Sequence, residues 1–219
     1  MPAIEMVCLA NSRKYQERCI AGIRVDGQGW IRPVASTEHG SLFPKHYRLK
    51  ETGEPHLLDV IRVGCVRPDP KPHQPENWLI DGTPWELVSR PLTADAEPLL
   101  QSAVVPGPDL FGSTFDKVPE NLSVRTSLAL IAPENLRWRI RLTQNFTRQT
   151  RAVFSLTGVH YDLSVTDPIW EQRLRHLREG HHSLADAGIG PDARVLFTVS
   201  LGEPFNGYCY KLVAAVIVL

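Results

Sequence analysis

NLRWRIRLTQNFTRQTRAVFSLTG, residues 135–158, carries five arginines and no acid. Arg137, Arg139 and Arg141 alternate with Trp138, Ile140 and Leu142. A period of two is the pattern of a half-buried strand, so the arginines fall on one face and the apolar residues on the other. Arg148 and Arg151 follow across a short polar connection, with Phe146 at its tip. No Asp or Glu lies between Glu134 and Asp162, so sequence neighbours supply no ion-pair partners. Guanidiniums bind phosphate oxygens strongly, and single-stranded nucleic acid is held where such a patch meets aromatic rings. The competing readings are a solvated face, or arginines paired with an acidic segment elsewhere in the chain.

Two other groups have the right residue types. In NSRKYQE (11–17), Arg13 and Lys14 are placed to hold phosphates and Tyr15 to stack on a base, with Arg18 and Arg24 extending the basic surface. Trp30 and Arg32 flank Ile31 and so share a strand face, a pairing suited to a base and its phosphate. A core Trp30 beside a merely polar loop explains the same residues. In SLGEPFNGYCY (200–210), Gly202, Pro204 and Gly207 build a turn, with Phe205, Tyr208 and Tyr210 around it. That stretch reads as a ligand-contacting loop or as a structural turn. His181 and His182 are adjacent and lack the companions that a zinc site needs. No phosphate-binding glycine loop, zinc-protease motif or nucleophile elbow is present. No catalytic residue, metal or cofactor is assigned.

The 219 residues are 42% hydrophobic and 22% charged, with a formal net charge of zero. No global field draws the protein to nucleic acid or to a membrane surface, so any electrostatic role must be local. Cys8, Cys19, Cys65 and Cys209 form no Cys-x-x-Cys pair and read as small hydrophobes in a reducing compartment. MPAIEMVCLANSRK does not read as a signal peptide, and LVAAVIVL is too short to span a bilayer. The expectation is a cytoplasmic protein without membrane contact.

The pattern predicts strands over 4–10, 18–25, 29–35 and 59–66, with a loop at 11–17 and a hairpin signal in DGQG. Ten of the eighteen prolines fall in 68–120, with nine acids against three bases, and the region reads as a long ordered excursion, a covering element without its own core. Within it, 85–92 is a short strand and AEPLLQS a helical turn. Strands are predicted over 124–131, 136–143, 151–157, 159–166, 195–202 and 208–219. Asp167 as N-cap and Pro168 at the first helical position open a helix that Gly180 ends. HHSLADAGIGPDA is read as a loop and EPFNG as a turn. From Leu136 the order is three strands, a helix and two strands, the plan of a five-stranded OB barrel. The first half fits the plan with four strands and a fifth at 85–92 or 124–131. The expected fold is mainly β: two OB-like Greek-key barrels with one clear helix in the second. The domains are 1–120, including the 68–120 excursion, and 121–219. One large barrel or a PUA-like barrel is the alternative.

CLANSRKYQERCIAGI, GWIRPV, SLALI and SLGEPFNGYCYKLVAAVI together resemble the bacterial family of dual OB-fold-containing domains. The resemblance spans nearly the whole chain. It implies two OB units and a nucleic-acid role in defence or nucleic-acid processing, and it carries no catalytic residues. The leading expectation is a non-enzymatic module for single-stranded DNA or RNA. Its contacts are Arg13, Lys14, Tyr15, Trp30, Arg32, Arg137, Arg139, Arg141, Phe146, Arg148, Arg151, Phe205 and Tyr208. The alternatives are a sensor of a nucleotide or modified base, and an adaptor that docks a protein partner through the proline-rich segment.

Overall fold

In the computed structural model, residues 2–50 and 53–219 are described. The chain divides into two compact units, Met1–Gln101 with Ser123–Ser127, and Ser102–Leu122 with Leu128–Leu219.

The first unit begins with β1 (Ala3–Lys14), β2 (Glu17–Arg24) and β3 (Trp30–Val34), joined as antiparallel neighbours. A short helix α1 (Pro44–Tyr47) precedes β4 (Val60–Pro68), and β5 (Asn77–Ile80) follows. The hydrogen-bonded order is β1-β2-β3-β5-β4, and β4 returns to pair β1. This closes a five-stranded barrel, with β3 and β5 parallel. Closure removes free strand edges and lets inward side chains fill the interior. Met6, Ile20, Ile31, Ile61, Val63 and Trp85 make up much of that core. The first two strands approach closely at Gly22, where a Cβ would lie 2.0 Å from the Val7 carbonyl oxygen, so only glycine fits. β6 (Glu86–Ser89) adds to β4, and α2 (Thr93–Ala103) follows it.

In the second unit, β7 (Lys117–Pro119) and β8 (Leu128–Ile131) precede β9 (Glu134–Leu142), β10 (Arg148–Leu156) and β11 (Val159–Val165). Helix α3 (Pro168–Arg173), β12 (Gly180–His182), β13 (Val195–Phe205) and β14 (Tyr208–Val218) complete it. The sheet order is β12-β9-β10-β11-β14-β13-β8, with β7 on β14. The run β9-β10-β11-β14-β13 repeats the order of the first barrel, again with one parallel contact, β11 to β14. Asp167 caps α3 by accepting from the backbone amides of Ile169 and Trp170, and its second oxygen accepts from Val216 N on β14. One carboxylate thus fixes the helix start to the sheet.

The mainly-β expectation of two sheets in OB strand order holds, the first of them closed into a barrel, and several boundaries shift. The loop at 11–17 is mostly strand: β1 continues to Lys14, and only Tyr15 and Gln16 turn the chain. The fifth strand of the first barrel is Asn77–Ile80, not 85–92 or 124–131. It is four residues long, and the prolines that mask it precede it without entering it. The excursion holds β5, β6, α2 and β7, joined by irregular segments. α3 ends at Arg173, and Gly180 opens the edge strand β12 on β9 instead of ending the helix. β13 and β14 run on to an Asn206–Gly207 turn with both φ positive, at 51° and 81°. The four cysteines are free, and all but Cys19 are buried.

Trp138 anchors the second core. It is fully buried, stacks on Trp170 with ring centroids 5.2 Å apart, and lies near Phe197. Trp170 donates its indole N–H to the Val216 carbonyl, but the Trp138 indole N–H has no acceptor. Trp138→Ala is expected to lower unfolding free energy by about 3–5 kcal/mol through the cavity it leaves. Trp138→Phe should cost far less, because it also removes an unsatisfied buried donor. Equal losses for the two variants in urea denaturation would contradict this account.

Lys211 is 2% exposed and donates to the carbonyls of Ser113 and Phe115. Burial pushes its pKa from 10.5 down to about 8, against the opposing pull of Asp116 and Asp109. Between those values the unfolded chain binds more protons, so Lys211's contribution to stability rises with pH across that window and is lost as pH falls through it. The stability of the wild type relative to Lys211→Met should therefore rise by up to about 3 kcal/mol from pH 8 to 10.5. A difference that stays flat or falls across that range refutes the assignment.

Candidate nucleic-acid interface

β9 positions the arginine ladder by simple alternation. Trp138 and Ile140 are buried, while Arg137 and Arg141 are exposed and Arg139 is half-buried. Leu142 breaks the expected stripe: it is 47% exposed, because the strand runs out past the core before the hairpin. Arg139 lies directly opposite Arg151 on β10, and Arg141 opposite Gln149. Like charges on opposed positions repel, so a counter-charge is needed. Asp162 on β11 provides it.

The Asp162 carboxylate takes Arg139 Nη2 at 2.6 Å on one oxygen and Arg151 Nε at 2.6 Å on the other. Arg151 also donates to Ser164 Oγ at 2.8 Å and to the Asp162 carbonyl. Arg141 donates to Gln149 Oε1 at 2.7 Å. Partial desolvation, then the like charges of Arg151 and Arg139, hold Arg141 below the ordinary guanidinium range, with Asp162 partly offsetting them. Arg137 lies opposite Val153 and makes no ion pair among the described residues. The Nε of Arg139 is buried without a partner. The outer face of β9–β11 thus gathers four guanidiniums, at 137, 139, 141 and 151, around the Asp162 carboxylate, while Glu179, just before β12, accepts from Leu142 N at the end of β9. The ladder has no acid among its sequence neighbours, and the carboxylate that pairs Arg139 and Arg151 reaches them across the sheet from β11 instead of from the acidic 68–120 segment.

Phe146 sits in the β9–β10 connection at φ 55° and is 84% exposed. Strand directions put it at one end of this sheet and the Asn206–Gly207 turn at the other. Phe205 there is exposed, but Tyr208 has Lys117 Nζ 3.9 Å from its ring centroid, so one face is already taken. Arg148 leaves the ladder: it donates to the Leu174 carbonyl at the end of α3, at 2.7 Å. Within the second unit, residues 102–122 pack on β14 and the β10–β11 turn, through Lys117 opposite Tyr210 and Thr157 Oγ1 on the Pro106 carbonyl.

In the first unit, Arg13, Lys14 and Tyr15 come together at the β1–β2 turn. Tyr15 is exposed on one side and stacks on His39 at 4.4 Å on the other. Trp30 is half-buried opposite Ile23, at the far end of β2 from that turn. Arg32 does not face a ligand surface. It is 2% exposed and forks onto Glu76 Oε1 at 2.9 and 3.2 Å, with Ser127 Oγ also accepting at 2.8 Å. Its alternation with Trp30 resembled the β9 ladder, but an interior carboxylate from the β4–β5 connection takes it inward. That proline-rich connection is itself part of the barrel: His73, Gln74, Glu76 and Asn77 are buried. Asp162, Gln149 and Ser164 were missed by sequence reasoning, since only strand register reveals them.

Residues 4–216 match the family model described as the dual OB-containing domain. No curated protein matches the chain.

Arg32→Gln should lower the stability of the first unit by about 3–5 kcal/mol, because it leaves the buried Glu76 without its ionic partner, held by Ser127 alone. Thermal and urea unfolding of that variant test the claim, and an unchanged midpoint would show that the pair is not structural.

Proposed function

The chain belongs to the dual OB-containing domain family, and on that premise we propose that it is a non-enzymatic module that binds single-stranded nucleic acid. The contact surface is the outer face of β9–β11. The observation that carries this reading is the excess of charge there, four guanidiniums against the carboxylate of Asp162. In OB barrels the face of the second and third strands, with the loops after the first and fourth, is where oligonucleotides lie. Here those elements are β10, β11, the Phe146 connection and the Asn206–Gly207 turn. The arginines hold phosphates, and Phe146 offers a ring for a base. With no net charge to draw a polyanion, the attraction is local, and each phosphate held makes binding depend on salt.

Fluorescence titration of short single-stranded DNA and RNA at low ionic strength tests the reading. Binding should weaken steeply as salt rises, because phosphates held by the protein release counterions. Changing Arg137, Arg139 and Arg141 together to Gln should leave the fold intact and weaken binding. The salt slope should fall by about 0.7 for each phosphate that the variant no longer holds. A triple variant that folds and binds as the wild type does would leave the ladder as a solvated face.

A further inference from the structure

Asp162 holds its two carboxylate oxygens between Arg139 and Arg151, each 2.6 Å from a guanidinium nitrogen. A phosphate group between the same two arginines offers the same donors two anionic oxygens. The two arginines are directly opposed across the β9–β10 pair, so their separation is set by backbone register rather than by flexible side chains. Arg137 and Arg141 stand two residues away on either side along β9, roughly 7 Å from Arg139 by strand rise. The Arg139 Nε without an acceptor shows that the carboxylate does not satisfy the cluster. Four guanidiniums outnumber the carboxylates of Asp162 and of Glu179 at the end of β9, which leaves the face in positive excess.

We propose that Asp162 is an internal stand-in for a ligand phosphate. The Arg139–Arg151 pair is the central phosphate subsite of an extended strand running along β9. Arg137 and Arg141 hold the phosphates before and after it. Asp162 competes with the ligand for the central subsite, and so lowers affinity while keeping two opposed arginines compatible with folding. This inference rests on the nucleic-acid reading above, and it gives that site its direction and its limiting residue. Ser164, which accepts from Arg151 Nη1 and Gln149 Nε2 at 2.8 Å each, is the neighbouring position where a second carboxylate would crowd the subsite.

The test titrates a labelled thymidine pentanucleotide, and inorganic tripolyphosphate separately, into the full chain as wild type, Asp162→Asn and Ser164→Asp. Asp162→Asn should bind the pentanucleotide about tenfold more tightly at low salt. Its salt slope should steepen by about 0.7, as the central subsite becomes free to hold one phosphate. Ser164→Asp should bind more weakly with a shallower slope, and this arm stands even if Asp162→Asn fails to fold. Binding by Asp162→Asn that equals or falls below a measurable wild-type affinity overturns the competition and leaves the nucleic-acid reading standing. Ser164→Asp binding as tightly as wild type overturns it too. If tripolyphosphate binds with the predicted order of affinities while the pentanucleotide does not, the phosphate subsite is upheld and the polymer reading falls. If neither probe binds any of the three proteins, both fall.

Discussion

One carboxylate shared by two guanidiniums governs the second unit's surface. Without Asp162, Arg139 and Arg151 would face each other across a strand pair with no counter-charge, a pairing that strands disfavour. With it, the sheet can carry four arginines on one face and still close its hydrogen-bond ladder. The neutralisation is partial, and that matters for function. A face with matched charges would be inert toward phosphate, and one with no acid would resist folding. The arrangement holds the face between those limits, with Gln149 accepting from Arg141 and Ser164 from Arg151 at no cost in charge.

The same strand order serves the two units differently. In the first, Arg32 on β3 turns inward to Glu76, and the pair is sealed by Ser127. In the second, the arginines point outward and meet an acid at the surface. A buried pair contributes little net stability against its desolvation, but it is costly to break, so it specifies which segments must meet. A half-buried pair at the surface costs less to desolvate, and it leaves the guanidiniums within reach of solutes.

Trp138 and Ile140 between arginines announced both the strand and its inward face, because alternation is a local signal. Asp167 and Pro168 announced the start of α3 for the same reason. What stayed hidden depended on distant register. Asp162 lies far along the chain from Arg139 and becomes its partner only when β9, β10 and β11 stack. Arg32 and Arg139 look alike in local context, and only the position of Glu76 separates an interior arginine from a surface one. Asn77–Ile80 was obscured because proline content argues against regular structure, whereas these prolines stop just short of the strand. The site was therefore legible as a patch but not as a set of partners.

The chain enters the second unit at Ser102, returns to the first for Ser123–Ser127, and leaves it again. On a ribosome this ordering imposes a schedule. The first barrel lacks the Ser127 hydroxyl of its interior ion pair until a segment of the other unit has already been made. That segment contains Lys117–Pro119, whose pairing partner, Tyr208–Tyr210, lies on the last strand synthesised. A stretch of β-competent chain thus waits, with its edge uncovered, for almost the whole second half of translation. Its company meanwhile is proline, glycine and acid, from PGPD through FDKVPE, residues poorly suited to pairing with the wrong strand. The composition that marks the excursion is well matched to a segment that must remain soluble until its partner arrives.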